Sequence, residues 1–387
     1  MLPKVHIAVT GLQGEAVFSE PFDLLATELA PRLCERGHRV TLYRAAQSGP
    51  TCPARPPGLN EAALPGTEAT LGRSLTTNLF GTIQACLGSA DVLLQVHAGG
   101  GWFQWFPHLL GRRIVLQVAG LDALDRRHGP VADAWLRHAA TVGCRLASRV
   151  VVESEHARRI YERRFGKPCE LISYGANLIS STNPALLAPL GLIAGGYYLC
   201  VAELLGLERI ELIAEGGMRS GTLRPIVVAA RQEWPLDHPA SESNLTQVTQ
   251  ERLGKSTKVV RVPPDSALWR ELLVHAFAYI HSDPPGRPHP MILNALGGGA
   301  CVLAEDTPYA REVLAEGAYG LFWTASPRNV AEQIRQLEHN PALPERFRQL
   351  AKRRIQERYS WDRITDEYER LLVQVCSESA RPTERES

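Results

Sequence analysis

The chain has 387 residues, room for two domains of ordinary size, and its 44% apolar and 21% charged residues are those of a globular protein. Lys and Arg number 42 against 41 Asp and Glu, so no global basic field exists to collect nucleic acid. The eight cysteines stand singly, several inside apolar runs such as YYLCVAE and GACVLAE, which points to reduced core thiols and away from a disulfide frame or a zinc site.

The N-terminus, MLPKVHIAVTG, enters a strand at once (Val5–Val9) and lacks the basic start and long apolar core of a signal peptide. No apolar run approaches the length of a membrane span. A helix from about Pro21 to Arg36 follows, with Phe22, Leu25, Ala26, Leu29 and Leu33 on one face, and Gly37 stops it. Next come the strand Arg39–Tyr43 and a Pro/Gly-rich loop from Ala46 to Gly66. Strands Val92–Val96, Ile114–Val118, Val150–Val152 and Glu170–Ile172 alternate with helices near Thr76–Leu87, Val131–Leu146 and Glu155–Phe165. Continuous apolar strands alternating with helices mean a parallel sheet covered on both faces.

Residues 181–196 are turn-rich and weakly periodic, as a linker is. The alternation then restarts. Tyr197–Ala202, Pro225–Ala230, Val259–Val262, Ala278–His281 and Cys301–Glu305 read as strands. Helices fall near Arg209–Gly216, Leu268–His275, Pro290–Leu296, Pro327–Glu338 and Leu343–Tyr359. A last helix spans 361–376, and the polar tail 377–387, SESARPTERES, is expected to be disordered. The expectation is an α/β protein of two Rossmann-like, doubly wound halves, 1–180 and 197–360, with a ligand in a cleft between them and the last helix packed back on the first half.

The most informative stretch is Tyr279 to Leu314, YIHSDPPGRPHPMILNALGGGACVLAEDTPYAREVL. A short strand runs into a Pro/Gly loop, and a helix opens at Pro290, where a missing N–H costs nothing. Gly297 to Gly299 end that helix, and another strand follows. Such a loop sets backbone N–H groups at the carboxyl end of a buried strand, where parallel sheets take anions. Arg287 in this loop is a candidate phosphate cation or an ordinary surface arginine. His289 is a candidate donor to a phosphate or a sugar hydroxyl, or an exposed loop histidine. In the first half, Gly11-Leu12-Gln13-Gly14 is a short phosphate-loop signal without the G-x-G-x-x-G fingerprint or a P-loop lysine, which argues against a nicotinamide or flavin enzyme. His97 ends a strand beside AGGG and reads as an acceptor-side base or as a structural histidine. The aromatic run Gly101–Phe106 is core or, if exposed, a membrane-interface element, and Arg112-Arg113 after it fits an anionic surface or any solvated turn. Lys352-Arg353-Arg354 reads as the solvated face of a helix.

The order of these pieces resembles the family-4 retaining glycosyltransferases of the GT-B fold, in their rhamnosyltransferase-like branch. FDLLATELAPRLCERGHRVTLYR, ELISYGANL, GGYYLCVAELLGLERIELIAEG and the Tyr279–Leu314 stretch each match in sequence and spacing. The resemblance implies an enzyme that moves a sugar, with retention, from a nucleotide-diphosphate sugar held by the second domain to a saccharide or lipid-linked acceptor held by the first. It implies no metal or other cofactor, because basic side chains and helix termini neutralise the diphosphate. It also implies a cytoplasmic protein, peripheral to the inner membrane where the acceptor is a lipid.

The resemblance assigns donor contacts to Glu203, Arg209, Gly286, Arg287, His289 and Asn294, a sugar-orienting role to Glu312, and acceptor contacts to His97, Gly11, Gly14 and Asp122. The chain departs from the pattern at several of these. Asn294 stands where the family has the ribose-binding glutamate, and Glu203 where it has a phosphate-facing arginine. Gly286 falls where the wider family has a further glutamate, which the rhamnosyltransferase-like branch lacks as well, and Ala119 stands where the branch has an aspartate before Gly120, with Asp122 nearby. Arg209 and Arg287 are the expected replacement cations. A homologue that has lost transfer and serves as a binding or scaffold partner of an active transferase is the alternative.

Overall fold

The structure, a computed structural model, describes residues 2–12, 23–45, 56–64, 70–118, 120, 129–230, 253–254, 256–263, 266–283 and 286–378, with the side chains of 70–75 excepted. The chain forms two compact units, Met1–Tyr174 with Trp361–Ser387, and Gly175–Ser360. The stretch 181–196 falls inside the second unit.

Unit 1 is built on a seven-stranded sheet in the order β3-β2-β1-β4-β5-β6-β7. Its strands are β1 His6–Leu12, β2 Arg39–Ala45, β3 Leu59–Leu64, β4 Val92–Val96, β5 Arg113–Gln117, β6 Arg149–Val152 and β7 Cys169–Leu171, and every pairing is parallel. The helices are α1 Ala30–Glu35, α2 Thr70–Leu87, α3 Trp105–Leu109, α4 Pro130–Leu146 and α5 Glu155–Phe165. β4 is buried at all five positions, which is why its sequence, VLLQV, is apolar but for the hydrogen-bonded Gln95.

Unit 2 repeats the plan with six parallel strands in the order β10-β9-β8-β11-β12-β13. They are β8 Tyr198–Val201, β9 Ile226–Ala230, β10 Thr257–Arg261, β11 Ala278–His281, β12 Val302–Glu305 and β13 Gly320–Trp323. Around them lie α6 Ala202–Ser220, α7 Ala267–His275, α8 Met291–Gly297, α9 Pro308–Val313, α10 Pro327–His339 and α11 Ala342–Arg354. The last helix, α12 Trp361–Ser377, returns to unit 1 and places Trp361, Ile364, Tyr368 and Leu372 among Leu25, Leu29 and Leu33. There Tyr368 donates to Gln117 Oε1 at 2.6 Å. His38, whose Nδ1 accepts the Val5 amide, donates from Nε2 to Glu369 at 2.8 Å.

In both sheets the strand order reverses beside the first strand, between β1 and β4 and between β8 and β11. Crevices at such reversals, outside the carboxyl ends of the strands, are where doubly wound sheets bind ligands.

Several sequence expectations need correction. β3 lies inside the expected Ala46–Gly66 loop, and β13 and α9 were not expected at all. Both missed strands are sheet edges, with one neighbour each, so they need no continuous apolar run. Helix α6 begins at Ala202, and Gly206, at φ 68° and ψ 166°, breaks it into a short turn and the helix proper. Gly11 is not in a turn but inside β1, at φ 91°, where a Cβ would come 2.2 Å from the Val96 carbonyl oxygen. Ser377 closes α12 rather than opening a tail, and 379–387 lie outside the described residues. The described cysteines are all free, with Cys169 and Cys376 only half-buried.

Candidate functional site

At the reversal in unit 2, the ends of three adjacent strands carry polar side chains. Arg209, on α6 after β8, donates from Nε and Nη2 to both oxygens of Glu305 at the end of β12, at 2.9 Å each. Ser282, just past β11, donates its hydroxyl to the same carboxylate. Fork-to-fork pairing of this kind is strong and directional, and it raises the Arg209 pKa above its ordinary value. The expected replacement cation is thus already engaged by an acid. Glu203 sits half-buried in the first turn of α6.

The loop between β11 and α8 is organised by Asp283. Its Oδ1 accepts His281 Nε2 at 3.0 Å and the His289 backbone amide at 2.8 Å. His289 is buried, and its Nδ1 accepts the Met291 amide at 3.2 Å. His289 is therefore not an exposed loop histidine: its Nδ1 caps α8 from below, and in the neutral ring Nε2 keeps the proton to donate. Burial, then the nearby His281 and Arg287 charges, push its pKa down to about 3, so it is neutral. The Pro290 turn therefore offers fewer amides than its sequence promises. Met291 N–H is taken by His289, and the Leu293 and Asn294 amides bond to the Pro290 carbonyl. Pro290 itself is the cap, and α8 starts one residue later.

Gly286 has φ 68°, and Arg287 and Asn294 are half-buried. Glu312 is half-buried on α9, and its carbonyl accepts Arg354 Nη2 at 2.9 Å. Its neighbour Arg311 pairs with Asp306 and Glu316 instead. The three glycines that end α8 serve different purposes. A Cβ on Gly297 would meet the Asn177 carbonyl oxygen at 2.2 Å, Gly298 caps α8 in the right-handed region, and Gly299 turns at φ 76°.

At the reversal in unit 1, His97 follows β4 with the rare backbone pair φ 76°, ψ 125°, and its Nδ1 accepts the Gly99 amide at 3.0 Å. The glycines that follow lie tight against neighbours. A Cβ on Gly100 would come 2.4 Å from both Asn78 Oδ1 and Gln95 Nε2, and one on Gly101 would come 2.1 Å from the Ala139 carbonyl oxygen. Gln95 Nε2 donates to the Gly100 carbonyl at 2.9 Å, and Gln104 Nε2 to Gln95 Oε1 at 2.6 Å. Gly11 joins this group, while Gly14 and Asp122 lie outside the described residues.

The basic runs resolve differently from expectation. Arg112 donates to the Cys86, Gly88 and Ala90 carbonyls, which satisfies the end of α2. Of Lys352-Arg353-Arg354, Arg353 is exposed as a solvated face would be, whereas Arg354 stacks on Tyr319 and Tyr359 and bonds two carbonyls. In the aromatic run, Trp102 stacks on His138, whereas Trp105 is 53% exposed. Sequence reading missed Asp283 and Glu305. The signal was there in HSD and AED, acids at or just past the carboxyl ends of two central strands.

Among the described residues, no group of His, Cys, Asp or Glu is disposed to hold a metal, and no helix is long and apolar enough to cross a membrane. Residues 25–178 match the family model Glycosyltransferase Family 4, and residues 233–370 match one described as Glycosyl transferase-like. No curated protein matches the sequence. Solved structures share the fold. Sucrose-phosphate synthase from Thermosynechococcus elongatus gives a TM-score of 0.80 at 15% identity, over 97% of this chain and 100% of that one. Anabaena Alr3699/HepE, in complex with UDP and glucose, gives 0.73 at 15% identity over 96% and 100%. The catalytic domain of starch synthase IV from Arabidopsis thaliana, bound to ADP and acarbose, gives 0.68 at 13% over 97% and 99%. At these identities the likeness is one of fold. The chain is a two-domain parallel α/β protein of the GT-B type, with a region matching glycosyltransferase family 4 at 25–178 and a glycosyl transferase-like region at 233–370.

Proposed function

We propose that the chain is a retaining glycosyltransferase that moves a hexose or deoxyhexose, of the rhamnosyltransferase kind, from a nucleotide-diphosphate sugar to a saccharide or lipid-linked acceptor. Its setting would be polysaccharide or glycolipid assembly in the cytoplasm. The observation that carries this reading is the set of polar groups at the β8–β11 reversal, within or beside the glycosyl transferase-like region. Arg209 and Arg287 supply cations for a diphosphate, and the half-buried Asn294 supplies an amide for ribose hydroxyls. Glu312 would orient the donor sugar, and His97 would meet the acceptor hydroxyl. In retaining transfer that hydroxyl attacks on the leaving-group face, and the departing phosphate takes its proton. The protein's work is then positioning and charge stabilisation, and no bound cofactor is needed. Exposed Trp105, Leu109 and Leu110 supply an apolar edge for a lipid-linked acceptor or a membrane surface.

A second reading, a catalytically silent homologue that acts as a scaffold, is favoured by one observation: Arg209 is held by Glu305, with Glu203 standing nearby in sequence. Calorimetric titration with a panel of UDP-, ADP-, GDP- and dTDP-sugars separates the two. Binding with slow donor hydrolysis supports the enzyme, and no binding at millimolar donor supports the scaffold. Asn294→Glu and Glu203→Arg are expected to tighten donor binding. No gain from either would mean the donor lies elsewhere.

A further inference from the structure

We propose that Glu305 is a built-in competitor for anions at Arg209, so that a phosphate group entering the β8–β11 reversal has to displace a carboxylate of the chain itself. This rests on the nucleotide-sugar reading for the identity of the anion, but the masking is a property of the ion pair alone.

Three observations support it. The carboxylate takes Arg209 through Nε and Nη2 together, the same bidentate geometry by which a guanidinium grips phosphate oxygens, so one occupant excludes the other from that edge. The Ser282 hydroxyl holds Glu305 in place from the strand between them, so the acid is positioned and does not merely drift onto the arginine. The pair is also mostly removed from water, with Glu305 at 13% and Arg209 at 28% side-chain exposure, so screening does little to weaken it. The loop after β11 adds one acid and one base, Asp283 beside Ser282 and Arg287 just beyond it in sequence, so it does not outbid Glu305 for Arg209. An incoming diphosphate thus meets a cation whose charge is already cancelled. Replacing the carboxylate by its amide keeps shape and one acceptor and removes the competing charge.

The test is calorimetry on the full chain with inorganic pyrophosphate, UDP and ADP, using the parent, Glu305→Gln, Arg209→Gln and the double variant. The expected result is that Glu305→Gln binds pyrophosphate and one of the nucleotides about tenfold tighter than the parent, and that the gain vanishes in the double variant. Nucleotide binding that is unchanged or weaker in Glu305→Gln overturns the masking and leaves the transferase reading standing. A pyrophosphate gain with no nucleotide bound by any variant upholds the masking and removes the transferase reading. No binding of any probe overturns both. Should Glu305→Gln fail to fold by its thermal transition, Ser282→Ala carries the test, because it loosens the acid without removing it; the gain expected is about threefold, and none overturns the proposal.

Discussion

The two sheets reverse their strand order in the same way, yet the two reversals are chemically unlike. At β1–β4 the surroundings are neutral: glycines, Gln95, Gln104 and the buried threonines Thr10, Thr77 and Thr82, whose hydroxyls have no protein partner among the described residues. Buried hydroxyls of that kind are satisfied by ordered water. At β8–β11 the surroundings are ionic, with Arg209, Glu305 and Asp283. One topology therefore offers a place suited to hydroxyl-rich ligands and another suited to charged ones, and the difference comes from the residues that the strand ends and the helices after them carry.

The largest expected effect tests how far the neutral reversal depends on backbone approach. Gly101→Val should destabilise the protein by about 4 kcal/mol, because its Cβ would strike the Ala139 carbonyl, which cannot yield as a side chain tip would. Hydrogen exchange that loses protection in β4 and α4 would locate the damage. Unchanged chemical unfolding would mean α4 is not packed as described.

The second effect concerns how the start of unit 2 is held. Glu271 on α7 is fully buried and accepts the Ser181 hydroxyl and the Thr182 and Asn183 amides at 2.6–2.8 Å. Burial alone would raise its pKa; the bonds from Asn183, Ser181 and Thr182 outweigh it and bring the carboxyl down to about 2. A depressed carboxylate gives stability that is full above its unfolded pKa near 4.5 and lost as pH falls toward 2. Glu271→Gln should thus cost about 3 kcal/mol at neutral pH and almost nothing near pH 2, read from urea midpoints against pH. A constant cost across that range would show that the carboxylate's charge is not what matters.

Much of this was legible in the sequence, and what was not has a common cause. Central strands such as Val92–Val96 and Ala278–His281 were found at their bounds, because burial on both faces forces a run that is apolar but for Gln95 and His281 near its carboxyl end. Edge strands Leu59–Leu64 and Gly320–Trp323 were not, because one face or side is exempt. At the site, the loop and its glycines were visible, but the partners were not. Nothing in one dimension says that Glu305 reaches over Ser282 to Arg209, residues 96 apart, or that His289 turns inward to cap α8. Spacing identifies candidate charges; only the fold shows which of them are already neutralised.

The third effect contrasts the two reversals by pH. The buried, neutral His289 has a pKa near 3, so the unfolded chain takes up a proton below about pH 6.5 that the folded one refuses. Its contribution is full above that pH and is lost on falling toward 3, about 2 kcal/mol by pH 5. His289→Asn, whose amide oxygen still accepts the Met291 N–H, should flatten that slope between pH 6.5 and 5. A slope that persists would assign the acid sensitivity to other groups.

The smallest effect distinguishes architecture from chemistry at His97. Its backbone sits at φ 76°, a region where a side chain costs roughly 1 kcal/mol that glycine does not pay, while its ring accepts the Gly99 amide. His97→Ala keeps the strain and loses the bond; His97→Gly loses both. The glycine variant should therefore be the more stable of the two by about 1 kcal/mol, measured by chemical unfolding. If His97 also meets the acceptor, both variants should lose turnover alike despite that difference, with donor binding intact. A glycine variant that folds better and keeps full transfer would make the histidine a structural cap and nothing more, and the acceptor would then have to be recognised by the neutral groups around Gln95.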